Sequence, residues 1–243
     1  IMEIQNWSPL QGRKVNNLIV AKSNYLIDAS YKLPLQAQKL VLACIAKLDS
    51  RPESGPIPKE ITITAKEYGQ LMDIEHNSRR DLYSAADALF KSSILLKDET
   101  EEIELYWVQK KAKKHKGDGS VTLTWSDDIV KYLSQLRSRF TTYKLRNIAH
   151  LQSTHSIRLY ELLMKFNATG ERVIYVDDFK SALGISDKYP VFGDLNKWVI
   201  KPAIEELNQR SDLIIKFDTI KKGKTVVALV FDFKQNSQLK MDI

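Results

Sequence analysis

One pattern occurs twice along this chain, and that constrains its fold more than any single residue does. An apolar helix, a β-rich stretch, a short helix, a longer helix and a wing-like pair of strands run through residues 36–125 and again through 153–233. DALFKSSILLKD (Asp87 to Asp98) aligns with EELNQRSDLIIK (Glu205 to Lys216) at a separation of 118 (205 − 87). Tyr68, Leu71, Met72 and Ile74 align with Phe179, Ala182, Leu183 and Ile185 at a separation of 111 (185 − 74). Identity is low, so the repeat is one of pattern. It predicts two similar modules in tandem.

The length, 243 residues, suits two modules of roughly 100–120 residues each. Hydrophobic residues at 43% and charged residues at 28% describe a globular chain with a real core. The formal net charge of +7 favours a polyanionic partner. Cys44 is the only cysteine, which excludes an intramolecular disulfide and any multi-cysteine metal site. It shares a helix face with Leu40, Val41, Ile45 and Leu48, so it reads as a buried thiol, not a nucleophile. Apolar runs are too short to cross a bilayer, and no signal-peptide pattern opens the sequence. The expected setting is a reducing cytoplasm with no membrane partner.

Residues 1–16, with Pro9 and Gly12, read as a loose N-terminal arm, and 17–31 show mixed character. Pro34 opens a helix from Leu35 to Leu48, and RPESGPIPKE reads as a loop. Glu60–Thr64 alternates as a strand, and Thr64 with Glu67 has the spacing of a capping box. Ser78 is expected to cap SRRDLYSAADALFKS, and SILLKD, EIELYWVQKK and SVTLTWS read as strands. Between the last two, KKAKKHKGDG is expected as a lysine-rich hairpin tip. Ser126 caps DDIVKYLSQLRS, with acids in its first turn where the helix dipole favours them.

In the second unit Ser156–Phe166, Asp177–Gly184 and DLNKWVIKPAIEELNQRS read as helices. Pro202 inside the last of these implies a lost hydrogen bond or a bend. LIIKFDTI and TVVALVFDF form a hairpin around KKGK. The predicted fold is therefore α+β: two tandem winged-helix domains related by an internal pseudo-repeat. The expected divisions are an arm at 1–16, a first winged-helix domain at 17–125, a connecting helical segment at 126–152, and a second winged-helix domain at 153–243.

Catalytic patterns find little support. His76, His115, His150 and His155 never form the His-x-His pair that a nicking enzyme places beside its tyrosine. Tyr143 and Tyr160 have no evident activating neighbour in sequence. Asp127–Asp128 and Asp177–Asp178 sit at helix starts, where capping explains them. Neither a Walker A run nor a GxGxxG occurs. The reading is a non-enzyme without a metal or cofactor.

Groove contacts have more behind them. In a winged helix the third helix enters the major groove and its N-terminal residues reach base edges. In the second unit these are Lys188, Tyr189, Asp194, Asn196 and Lys197, with Lys201 one turn on, while Trp198, Ile200, Ile204 and Leu207 are expected to face the core. In the first unit the corresponding residues are Asn77, Ser78, Arg79 and Arg80. The lysines at the wing tips, Lys111, Lys113 and Lys114 in one and Lys221, Lys222 and Lys224 in the other, suit flexible backbone contacts with little sequence information. The second domain is the expected main reader.

Three segments resemble the replication initiator (Rep) proteins of iteron-containing bacterial plasmids. FTTYKLRNIAHLQSTHSIRLYELLMKF (Phe140 to Phe166) carries an aromatic-Thr-x-Tyr start and a serine-led S-x-R-L-Y-E-L-L at Ser156, Arg158, Leu159, Tyr160, Glu161, Leu162 and Leu163. YPVFGDLNKWVIKPAIEELNQRSDL resembles the family's second recognition helix, and NNLIVAKSNYLIDASYKLPLQAQKLVLACIAKL its N-terminal region. The resemblance spans most of residues 17–233. It implies a monomer that binds direct-repeat iterons at a plasmid origin. It also implies a dimer, formed through the first domain, that binds an inverted-repeat operator and represses its own gene. Host replication proteins such as helicase and initiator are the further partners it implies. Where family members often carry arginines at the second recognition helix, this chain has Asn196, Lys197 and Trp198. A tandem winged-helix transcriptional regulator with no replication role is the alternative that residue chemistry leaves open.

Overall fold

The computed structural model describes residues 18–48, 56–97, 100–134 and 140–236. The expected arm at 1–16, the first part of the RPESGPIPKE loop, the end of the DDIVKYLSQLRS helix and the last residues of the chain lie outside the described residues.

The described chain begins with strand β1 (Ile19–Ser23) and a short helix α1 (Asn24–Asp28), capped by the Ser23 hydroxyl accepting from the Leu26 amide. Helix α2 (Leu35–Lys47) starts one residue after Pro34 and is buried almost throughout. Cys44 lies inside it fully buried, and burial pushes its thiol up to about 12, so the sulfur stays protonated. Strand β2 (Glu60–Thr64) leads into α3 (Ala65–Met72) through a complete capping box. The Glu67 amide donates to Thr64 Oγ1 at 3.1 Å, and the Thr64 amide donates to Glu67 Oε2 at 2.8 Å. Helix α4 (Ser78–Phe90) follows, with Asn77 in a left-handed conformation as its cap. Ser78 is thus the first helical residue and not the cap expected of it.

The three strands predicted after α4 become four. Strands β3 (Ser93–Lys97) and β4 (Glu102–Tyr106) form a ribbon of their own, while β5 (Val108–Lys114) and β6 (Ser120–Trp125) join β2 in the order β2-β6-β5. The break in EIELYWVQKK falls at Trp107, fully buried and edge-on to Tyr31 with ring centroids 5.2 Å apart. Burying so large a ring turns the chain out of one sheet and into the other.

Helix α5 (Asp127–Ser134) is capped as expected, the Ser126 hydroxyl accepting from the Ile129 amide. The segment 126–152, expected as helical, is only partly so. Phe140–Lys144 is a strand, β7, paired antiparallel with β1 from Ile19 opposite Lys144 to Ser23 opposite Phe140. A short helix α6 (Arg146–Ala149) and the long α7 (Thr154–Met164) come next.

Strand β8 (Glu171–Tyr175), helix α8 (Val176–Ala182), helix α9 (Phe192–Leu195), a π-helical turn at Asn196–Ile200, helix α10 (Lys201–Arg210), and strands β9 (Leu213–Lys222) and β10 (Thr225–Gln235) complete the second unit. Its sheet runs β8-β10-β9, the same arrangement as β2-β6-β5: the last strand in the middle, the strand that precedes the short helix on one edge.

The repeat is therefore real, but its best sequence match is not the structural one. SILLK and LIIK align by residue type, yet β3 belongs to the extra ribbon and β9 to the wing. The other match holds in detail. The Ile74 amide donates to the Gly69 carbonyl and the Ile185 amide to the Lys180 carbonyl, each five residues back. Each is preceded by a left-handed residue, Asp73 or Gly184. This is the same helix-ending device at the same place in both units. Gly184 has a second reason to be glycine, since a Cβ there would lie 2.7 Å from the Tyr31 carbonyl oxygen of the first unit.

A buried polar hub ties the units together. Arg158 on α7 donates through Nη2 to the Ile27, Ala29 and Ala182 carbonyls and through Nη1 to Tyr31 Oη and Glu161 Oε2. Glu161 also accepts from Lys22 Nζ and Tyr143 Oη, each at 2.7 Å. Arg158 and Glu161 are the charged pair of the S-x-R-L-Y-E-L-L segment. Arg158 satisfies the carbonyls that end α1 and α8 where water cannot reach, and Glu161 balances its charge.

Candidate DNA interface

The entry to the second unit's long helix is built under strain. Tyr189 adopts a left-handed conformation (φ 52°) immediately before Pro190, a costly choice for a bulky side chain. The turn carries the chain into α9. Four residues on, the π-helical turn at Asn196–Ile200 inserts one extra residue into the helix, the Lys201 amide donating to the Asn196 carbonyl. This resolves Pro202. The wider turn carries the helix past a residue with no amide hydrogen and without a break.

The same turn shifts the helix register. Leu195, Val199, Ala203 and Leu207, spaced by four, form the buried stripe together with Ile200. Trp198 was expected in the core; instead it is 59% exposed, with Lys197 Nζ 4.5 Å from its ring centroid. A regular helix drifts by about 40° for every four residues, and the extra π residue absorbs that drift.

Between this helix and its wing lies an open groove of about 1370 Å³. It brings together Tyr189, Asn196, Lys221, Lys222 and Lys224, all proposed from the sequence. Asn196 Oδ1 is buried and has no hydrogen-bond partner among the described residues, and the three wing lysines are exposed around Gly223. Lys188, Lys197 and Lys201 are exposed but do not line the groove. Acids share the groove: Asp177 and Asp178 at the start of α8, and Asp218 on β9. The arrangement offers an amide for a base edge and a row of ammonium groups for a phosphate backbone.

The first unit arranges its basic residues differently. Lys111 and Lys113, expected as flexible tip charges, sit on β5 facing α4, and both pair with Asp87. Their ammonium groups lie 5.0 Å from the Phe90 ring and 5.4 Å from the Tyr83 ring respectively. Strand β5 runs on to Lys114, so the tip is shorter than expected, residues 115–119. Arg79 donates to the His115 carbonyl, Tyr83 Oη donates to the Lys114 carbonyl at 2.7 Å, and the Gly119 turn packs against both side chains. Arg80 stays exposed, 3.2 Å from Asp81 Oδ1. Lys114 at the end of β5 and Lys116 in the tip are exposed.

The two tyrosines weighed as nucleophiles are structural. Tyr143 donates to Glu161, and Tyr160 donates to Asp212 at 2.9 Å. Burial first, and then these carboxylates, push both phenols well above their ordinary value, so neither forms the phenolate that attack would require. Among the described residues no helix is long and apolar enough to cross a membrane.

Comparison with known proteins bears on this geometry. The Initiator Replication protein family model for the first winged-helix domain matches residues 19–164, and the model for the second, Initiator Rep protein WH2, matches 175–233. A replication initiation protein of Escherichia coli is 30% identical over 243 aligned positions, covering 93% of this chain and 73% of the relative. An Escherichia coli protein described as an uncharacterized 27.6 kDa protein is 21% identical, covering 87% and 93%. The crystal structure of Pi initiator protein in complex with iteron DNA shares the fold, with a TM-score of 0.77 at 23% identity over 91% of this chain and 99% of that one. Two winged-helix units in tandem, matched along most of their length, make this chain a member of the initiator replication protein family.

Proposed function

We propose that this chain initiates plasmid replication by binding directly repeated iterons at an origin as a monomer, the second unit reading bases and the first gripping backbone. The observation that carries the reading is the groove between the recognition helix and its wing, which Asn196 and three exposed wing lysines line together. The family it belongs to supports the same reading, as does its likeness to an initiator solved with iteron DNA. In it, Asn196 and Lys197 specify sequence, while Lys188, Lys201, Arg79, Arg80, Lys114 and the wing lysines contact phosphates. Lys111 and Lys113 join them only by leaving Asp87.

The rest of the reading concerns partners. A dimer through the first domain binds an inverted-repeat operator and represses the initiator's own gene, because a two-fold assembly presents like modules to a palindrome. Host helicase and initiator load onto DNA opened without being cut, in the cytoplasm. The test supplies the chain in trans to an origin plasmid that lacks its own initiator gene, and measures binding to direct and inverted repeats across a protein concentration series. Maintenance of the plasmid, with monomer on the direct repeat, is expected. Tight operator binding without maintenance would mark a regulator instead.

A further inference from the structure

Trp198 stands on the side of the second recognition helix that the core does not use. Leu195, Val199, Ile200 and Ala203 point inward and are buried, while Lys197, Trp198 and Lys201 are exposed. These three therefore share the outer side of the helix, the side that a winged helix lays in the major groove. The Trp198 ring is 59% exposed, whereas Trp107 and Trp125 in the first unit are fully buried. It does not line the groove beside the wing, which Asn196 reaches. The Lys197 ammonium lies 4.5 Å from its centroid.

Holding so large an apolar ring in water is unfavourable. The π turn at Asn196–Ile200 places it there, and single π turns inside a helix occur often at functional sites. In the major groove the base edges offer hydrogen-bond donors and acceptors, and thymine alone adds a methyl group. Amides and ammonium groups match the donors and acceptors. An exposed apolar ring has its complement in the methyl.

We propose that Trp198 is a base-reading residue whose ring packs on a thymine 5-methyl group and selects thymine at one position of the repeat. The cation–π contact with Lys197 restrains both side chains, which lowers the entropy lost when they enter the groove. The inference rests on the DNA reading of the second unit and adds one residue and one base to it.

The test uses the full chain and a labelled duplex carrying the direct repeat of its origin, with each thymine in turn replaced by deoxyuridine. That exchange removes the methyl and keeps every base-pair hydrogen bond. Affinities are read by anisotropy, beside a scrambled duplex. At one position wild type should bind the deoxyuridine duplex about four-fold more weakly, the amount expected for one buried methyl. Trp198→Ala should bind the thymine and deoxyuridine duplexes equally there, and its thermal unfolding should match wild type because the ring is exposed. In a Trp7→Phe background, which leaves the buried Trp107 and Trp125 beside Trp198, acrylamide should quench the free chain and the repeat duplex should protect it. Three results each overturn the role of Trp198 while the DNA reading stands: indifference of wild type to every thymine methyl, discrimination that persists in Trp198→Ala, or an indole still open to acrylamide in the complex. Equal binding of repeat and scrambled duplexes by wild type overturns the DNA reading itself, and this role with it.

Discussion

The two wings share a topology and use their lysines in opposite ways. In the first, Lys111 and Lys113 fold back on Asp87 and hold the hairpin against α4, while hydrogen bonds to Lys114 and the Asp87 carboxyl, drawn below its ordinary range, complete the brace. In the second, Lys221, Lys222 and Lys224 stand exposed at the rim of the groove. Their recognition helices differ too: α4 runs unbroken from Ser78 to Phe90, whereas the second is widened by a π turn at Asn196–Ile200. A duplicated fold keeps its hydrogen-bonding scheme, which the core enforces, and varies its charges, which the core does not see.

The largest effect should come from what the units share. Glu161→Ala leaves Lys22 and Arg158 buried without their carboxylate and should cost about 3–5 kcal/mol in urea unfolding. A loss under 1 kcal/mol would mean the units are held by apolar packing alone. The hub also predicts acid sensitivity. Burial alone would raise the Glu161 carboxyl, but Lys22 and Arg158 hold it below the ordinary glutamate value. Its stabilising contribution is therefore complete above about pH 4.3 and is lost as pH falls through the lower, folded value. Wild type should lose stability over that acid range more steeply than Glu161→Gln.

The next effect separates the two helices. Lys197→Ala or Asn196→Ala should weaken binding to the cognate repeat by about 1–3 kcal/mol and scrambled DNA much less. Equal losses on both sequences would reduce these residues to backbone contacts.

Smaller again is the contrast between the wings. Lys221→Gln, Lys222→Gln and Lys224→Gln together should lower the log–log salt slope by roughly one for each phosphate no longer neutralised. Lys111→Gln with Lys113→Gln should lower it less, because both lysines are already paired. The smallest effect is on stability: Asp87→Asn should cost at most about 1 kcal/mol, since the pair is half open to solvent. It should also free Lys111 and Lys113 and bring the first wing's salt dependence nearer to that of the second.

Local chemistry made much of this legible. The Thr64–Glu67 capping box, Pro34 before α2 and the Ser126 cap act within a few residues, and each stands where the sequence puts it. What depended on distant partners did not show. Strands β1 and β7 are paired across more than a hundred residues, so neither carries a hairpin signal. A cavity of about 290 Å³ draws Lys32, Gln38, His155 and Leu183 from separate parts of the chain. Two of the corrected expectations did have a signal in the sequence. Lys111 and Lys113 alternate on one strand face, which predicts that both point the same way. Pro202, with apolar residues spaced by four from Leu195 to Leu207, predicts a widened helix and an exposed Trp198.

The central claim is that one chain reads DNA with two units of unlike chemistry, and hydroxyl-radical footprinting on a single direct repeat tests it most directly. Wild type should protect two segments centred about one helical turn, roughly 10 base pairs, apart. In Lys197→Ala the segment under the second unit should weaken first, and raising salt should erase the one under the first. A single protected segment, or two that fade together in the variant and in salt alike, would contradict the account.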